Sequence, residues 1–274
     1  MVFLLSLFIG FLAAFIGSLV GLGGGTILIP SLLLLNQYVD AYKWATPQAV
    51  VGLSLIVMVF TAGSSSYSYI KNKRVDVKSG FIFLAGVVPG GILGAWINQF
   101  FGDDKFSLYF GILMFVTFGL MSLKNKEKNV REKAESKWIV HTSKKLGEET
   151  YIYSYPWLLA ILITFIVGMI SGAFGIGGGS MLVPAMMLLF GFPSHVATAT
   201  SMFLILFLSM GSTIAHGVLG HIPWQYVAFF IPGSLLGGLT GAAVNQRIKG
   251  QTVELILRIV LLIIGVRLIW QAIG

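Results

Sequence analysis

The chain has 274 residues, 56 % hydrophobic and 10 % charged, with a mean hydropathy of +0.89 and a formal net charge of +8. A soluble domain carries about 25 % charged residues, yet neither 1–39 nor the 97 residues 150–246 contain an Asp, Glu, Lys or Arg. Such runs exclude a water-soluble fold and require an all-α polytopic membrane protein.

The basic excess does not mark a nucleic-acid binder. Eight of the 18 Lys and Arg lie in 124–154, mixed with five acids, and four more lie in 71–78. Short basic loops beside apolar spans set membrane orientation instead. The chain has no cysteine, which excludes disulfides, thiolate metal sites and thiol redox chemistry.

Residues 3–20 read as a first span that is retained, since no basic n-region or A-x-A-like cleavage site accompanies it. Then comes Gly21-Leu22-Gly23-Gly24-Gly25-Thr26, a break in helix-forming sequence, followed by an apolar helix at 26–37 ending before a polar connection with Asp40 and Lys43. Glycine in a helix costs about 1 kcal/mol relative to alanine. In a bilayer the amides and carbonyls that such a break frees persist only inside protein or against a wet cavity. Full spans are expected at 48–70, 79–101 (interrupted at Pro89-Gly90-Gly91) and 106–123. Residues 124–154 read as a solvated linker with a short helix around 127–137.

The second half repeats the first. Gly175-Ile176-Gly177-Gly178-Gly179-Ser180 stands 154 residues after the first break, and 155–175, 180–190, 196–220, 224–246 and 251–273 match the earlier segments in order. The chain therefore divides into a repeat at 1–123, the linker 124–154 and a repeat at 155–274, each of about five helical segments. With five crossings per half, 71–78, 124–154, Arg247 and Lys249 share one side, which then holds 14 of the 18 basic residues. With four crossings that side keeps 12. The bias favours inverted repeats with a cytoplasmic linker and the N-terminus outside, in the cytoplasmic membrane.

Inverted halves bring two half-length helices to the membrane interior from opposite faces. Their first turns present unpaired amides and about half a positive charge each, which is an anion site that needs no Lys or Arg. Gly23, Gly24, Gly25 and Thr26 with Gly177, Gly178, Gly179 and Ser180 are its candidate residues, and Ser54, Thr200 and Ser201 are candidate polar lining. His216 is a candidate proton or anion contact. The alternative is that the glycines only permit tight helix crossing and the hydroxyls only bond within their helices. The acids are expected in loops or at a span's edge, leaving no membrane carboxylate of the kind cation pumps use. No nucleophile–base–acid grouping and no His/Asp/Glu cluster of metal-ligand spacing appears, so neither an enzyme, a cofactor nor a metal is expected.

At these residues the chain resembles the TauE/SafE family of toluenesulfonyl uptake and sulfite exporter permeases. The resemblance lies in 21–30 and 175–184, in Ala197-Thr198-Ala199-Thr200-Ser201-Met202, and in the Pro-Gly patterns at 89–94 and 232–237. It covers nearly the whole chain outside the linker. What it implies is a permease for sulfur-containing or organic anions such as sulfite or sulfonates. In the first half Leu53-Ser54 replaces the family-like Thr-Ser, so only Ser54 carries over there. The expected activity is secondary transport of a small anion through alternating access, with the coupling ion, proton or sodium, and the oligomeric state left open. An uncoupled anion channel or a membrane scaffold is the alternative.

Overall fold

The computed structural model describes residues 2–100, 103–122, 138–146 and 149–273. The first half comprises α1 (Val2–Val20), α2 (Gly25–Tyr38), a single 3-10 turn at Asp40–Tyr42, α3 (Pro47–Lys71), α4 (Val77–Asn98) and α5 (Asp103–Ser122). A hairpin follows, β1 (Ile139–Leu146) paired antiparallel with β2 (Glu149–Pro156) in the register Ile139 to Pro156. The second half is α6 (Trp157–Phe174), α7 (Gly179–Leu189), α8 (Ser194–Val218), α9 (Trp224–Asn245) and α10 (Gly250–Ile273). Six of these helices (α1, α3, α4, α6, α8 and α9) are long and apolar enough to cross a membrane.

Glycines spaced every four residues set the principal seams. On α9, Gly233, Gly237 and Gly241 face the carbonyls of Leu7, Phe11 and Phe15 on α1 so closely that a Cβ would collide with each. On α4, Gly86, Gly90 and Gly94 meet the carbonyls of Ile161, Phe165 and Met169 on α6 in the same way. A glycine at every fourth position lines one helix face, and the missing side chains bring backbones within Cα–H···O range. The first helix of each half thus packs on the fourth helix of the other.

These contacts also fix chain direction. Register rises together along α1 and α9, and along α4 and α6. Helix α3 runs with α9, since Gly238 meets Thr61 and Ser64 while Gln246 bonds Ser68. Helix α8 runs with α4, since Gly80 meets Phe203 and Gly91 meets Leu208 and Ser212. Helices α3 and α8 oppose one another, Gly52 meeting the His221 carbonyl and Gly63 the Leu206 side chain.

Two expectations need correction. Helix α4 is continuous through Pro89, not interrupted there. Neighbouring helices and local adjustment re-satisfy what a proline frees. The linker is not wholly solvated, because its second half is the docked hairpin. Tyr153 and Tyr155 are buried among Phe83, Phe190 and Phe192, with the Tyr153 ring 4.2 Å from Phe192. The alternation Tyr151-Ile152-Tyr153-Ser154-Tyr155 is the strand signal, and the linker's charges mask it. The expected helix around 127–137 lies outside the described residues.

Candidate functional site

Each glycine of the two breaks has an identifiable task. Gly21, Gly23 and Gly24 have φ of 84°, 83° and 94°, and their counterparts Gly175, Gly177 and Gly178 have 67°, 78° and 73°. An L-residue in this left-handed region costs roughly 1–2 kcal/mol. The fourth glycine of each set has ordinary φ and serves close approach: a Cβ on Gly25 would strike the Gly175 carbonyl, and one on Gly179 the Gly21 carbonyl. The breaks therefore lie side by side in opposite directions. The Met58 side chain of α3 and Ile205 of α8 fill the crossing, Met58 against Gly23, Gly25 and Gly177, and Ile205 against Gly23 and Gly177. Both residues are fully buried.

The carbonyls ahead of the breaks are capped by side chains. Ser18, Leu19 and Gly21 accept from the Tyr69 hydroxyl at 2.9 Å, Asn245 Nδ2 at 2.6 Å and the Ser201 hydroxyl at 3.0 Å. At matching positions Gly172, Ala173 and Gly175 are met by His216 Nε2 at 3.1 Å, Asn98 Nδ2 at 2.6 Å and the Ser54 hydroxyl at 2.9 Å. Ser54 and Ser201 share their protons with Val51 and Thr198 in their own helices. They hold the breaks in shape, with no proton left for a guest in this conformation.

The amides beyond the breaks are treated differently. Among the described residues, the N–H groups of Gly24, Gly25 and Thr26, and of Gly178, Gly179 and Ser180, have no acceptor. The hydroxyls of Thr26 and Ser180 are fully buried and also without a partner. A helix end leaves donors at its start and acceptors at its finish. Here side chains reach three carbonyls in each break, while the first-turn donors of α2 and α7 are left without acceptors at the positive ends of their helices.

The remaining candidates lie at the two ends of α8. Thr200 accepts the Asp76 amide at 3.0 Å. Asp76 itself caps α4 by accepting from the Ser79 amide, and its carboxylate also receives the Ser79 and Tyr153 hydroxyls, the latter at 2.8 Å. It sits at a span's edge, as expected from sequence, yet is only 4 % exposed. Burial, and then the Asp76 carboxylate, push the Tyr153 hydroxyl well above the usual tyrosine range, and burial pushes Tyr155 up to about 12. Leu53 stands where the second half has Thr200, and the residue matching Asp76 is Pro223, which has no amide proton to donate to a hydroxyl there. At the other end, His216 is buried and both ring nitrogens are engaged, Nδ1 lying 3.0 Å from Nδ1 of His221. Met58, Asp76, Tyr153 and His221 were not legible as site neighbours, since none sits near a break in the sequence.

The architecture defines a class: an all-α, multi-pass membrane protein with interrupted helices meeting at its centre. The sequence matches the family described as Sulfite exporter TauE/SafE over residues 6–268. The chain belongs to that family of membrane transporters. It is 43 % identical over 273 residues to the probable membrane transporter protein YunE of Bacillus subtilis (strain 168), covering 100 % of this chain and 99 % of that one. A probable membrane transporter protein of Xylella fastidiosa (strain Temecula1 / ATCC 700964) is 24 % identical, covering 96 % and 93 % respectively. No solved structure matches the chain.

Proposed function

We propose that the chain is a secondary transporter of small sulfur-containing or organic anions, sulfite- or sulfonate-like, that binds its substrate between the paired glycine breaks. The observation that carries this reading is the set of acceptor-free amides at Gly24, Gly25, Thr26, Gly178, Gly179 and Ser180, with the unpartnered hydroxyls of Thr26 and Ser180. An oxyanion supplies the acceptors these groups lack, without a cation in the membrane. The family's name points to the same substrate class.

The two halves, 1–123 and 155–274, act as inverted repeats rocking about the breaks. Helix directions support this, since α1, α3 and α9 run one way and α4, α6 and α8 the other. Contact between the breaks, with Met58 across them, is the closed arrangement from which either half swings away. The basic residues put the linker and hairpin in the cytoplasm and the N-terminus outside the cytoplasmic membrane.

Uptake of labelled sulfite and methanesulfonate by purified protein in liposomes tests the reading. Saturable, mutually competing uptake that is abolished in Gly24→Leu and Gly178→Leu is expected. Thr26→Val with Ser180→Ala serves as the milder variant. Non-saturating conductance would make the protein a channel, and no flux at all a scaffold.

A further inference from the structure

The two glycine breaks match residue for residue, but what lies against them does not. Gly17 of α1 stands so close to Gly24 that a Cβ on it would collide with the Gly24 amide nitrogen and Cα. No side chain fits between α1 and the first break there. The matching residue, 154 positions later, is Ser171 of α6, and it faces Gly178, the match of Gly24. Its Oγ stands 3.5 Å from where a Cβ on Gly178 would be. The second seam is wide enough for a hydroxymethyl group, and the group it admits is polar.

Ser171 is 1 % exposed, and its hydroxyl has no partner. A serine in a helix ordinarily bonds a carbonyl three or four residues earlier, as Ser54, Ser65, Ser201 and Ser234 do here. Ser171 does not. A buried hydroxyl left without a partner is disfavoured, and each case calls for a cause.

The same asymmetry recurs around the second break. Ser212 of α8 is fully buried and unpartnered, whereas its match Ser65 donates to the Thr61 carbonyl at 2.7 Å. Thr198 of α8 is fully buried and unpartnered where the first half has Val51. Two pairs of unpartnered hydroxyls are matched between the halves, Thr26 with Ser180 and Ser66 with Thr213. Ser171, Thr198 and Ser212 have no such match, and all three lie on α6 and α8, which pack against α7.

Free volume lies on the same side. A cavity of about 230 Å³ separates Ile163, Ile166 and Val167 of α6 from Met181, Pro184 and Leu188 of α7. It reaches Val167, one turn before Ser171, and Met181, the neighbour of Ser180. Helix α7 therefore has room to shift at the end where its amides lack acceptors.

We propose that the anion is held off-centre, against the second break, with the Ser171 and Ser180 hydroxyls and the Gly178 and Gly179 amides as its ligands. Gly17 closes over the matching place in the first half, so Thr26 contributes little to affinity. This placement rests on the anion site of the proposed function and names the side of it that binds.

Methanesulfonate added to the purified full chain in detergent, read by the rise in melting temperature, tests the placement alongside uptake in liposomes. Ser171→Ala and Ser180→Ala should each raise the half-saturating concentration about tenfold, as for one lost hydrogen bond to an ion, with the ligand-free melting temperature unchanged or higher. Thr26→Val should raise it less than about twofold. Ser171→Gly copies the first repeat and should weaken binding as Ser171→Ala does. Equal losses in Thr26→Val and Ser180→Ala, or wild-type affinity in both Ser171 variants, would overturn the off-centre site and leave the anion-site reading standing. Failure of both Ser171 variants to fold would make Ser171 a packing residue and overturn it too. A wild-type chain that neither melts higher with methanesulfonate or sulfite nor transports them would defeat the anion-site reading itself, and this placement with it.

Discussion

The Ser201 hydroxyl donates to the Gly21 carbonyl at 3.0 Å, joining residues 180 apart in the chain. Ser54 and Gly175 repeat this contact at 2.9 Å. Each bond ties the first residue of one half's break to the third helix of the other half. The two breaks are thereby held in register, with the amides of the first turns of α2 and α7 left over.

Ser201→Ala and Ser54→Ala each strand a buried carbonyl, which costs about 1–3 kcal/mol. Unfolding of the purified protein in mixed micelles should show both losses at similar size. The double variant tests whether the two breaks are coupled, since sites in direct contact depart from additivity by about 0.5–3 kcal/mol.

Thr26→Val and Ser180→Ala should behave oppositely. Each removes a buried hydroxyl that has no partner, so stability is expected to hold or rise by about 1 kcal/mol. Anion affinity, read as the half-saturating concentration for uptake, should weaken about tenfold in the double variant, as for loss of about 1.4 kcal/mol. A stable variant with unchanged affinity would remove these hydroxyls from the site.

Gly90→Ala and Gly237→Ala place a methyl against the carbonyls of Phe165 and Phe11. Overpacking of this kind costs about 1–3 kcal/mol. Gly119→Ala, where a Cβ meets nothing within 4 Å, is the control and should gain up to about 1 kcal/mol from helix propensity. Melting temperatures of the three variants check the ordering.

Tyr153→Phe removes one of the bonds that dock the hairpin on Asp76, a loss of about 1.5 kcal/mol for a bond to a charged group. Faster amide exchange in β1 and β2 with little change in the helices is the expected signature. The Tyr153 pKa is raised in the folded state, so its contribution is complete below the unfolded value of about 10 and is lost as pH rises above it. Hairpin exchange, corrected for intrinsic base catalysis, should therefore accelerate above that pH in the wild type. Tyr153→Phe should flatten the dependence.

The sequence by itself determined the helix inventory and the duplication. Uncharged runs of span length admit only helices in a bilayer, and Gly-x-Gly-Gly-Gly followed by Thr or Ser recurs 154 residues later. It also placed the two glycine breaks, because left-handed φ at three positions in each copy demands glycine, but it wrongly put a further break at Pro89. Only the tertiary structure decided which groups are left free. Ser54, Ser201, Asn98 and Asn245 are on paper only small polar residues in apolar segments, yet all four cap carbonyls more than 70 residues away. Asp76 reads as a loop acid until β2 folds over it. Hydrogen-bond satisfaction is a property of partners brought together by folding, and no local pattern of residues encodes a partner in the other half of the chain.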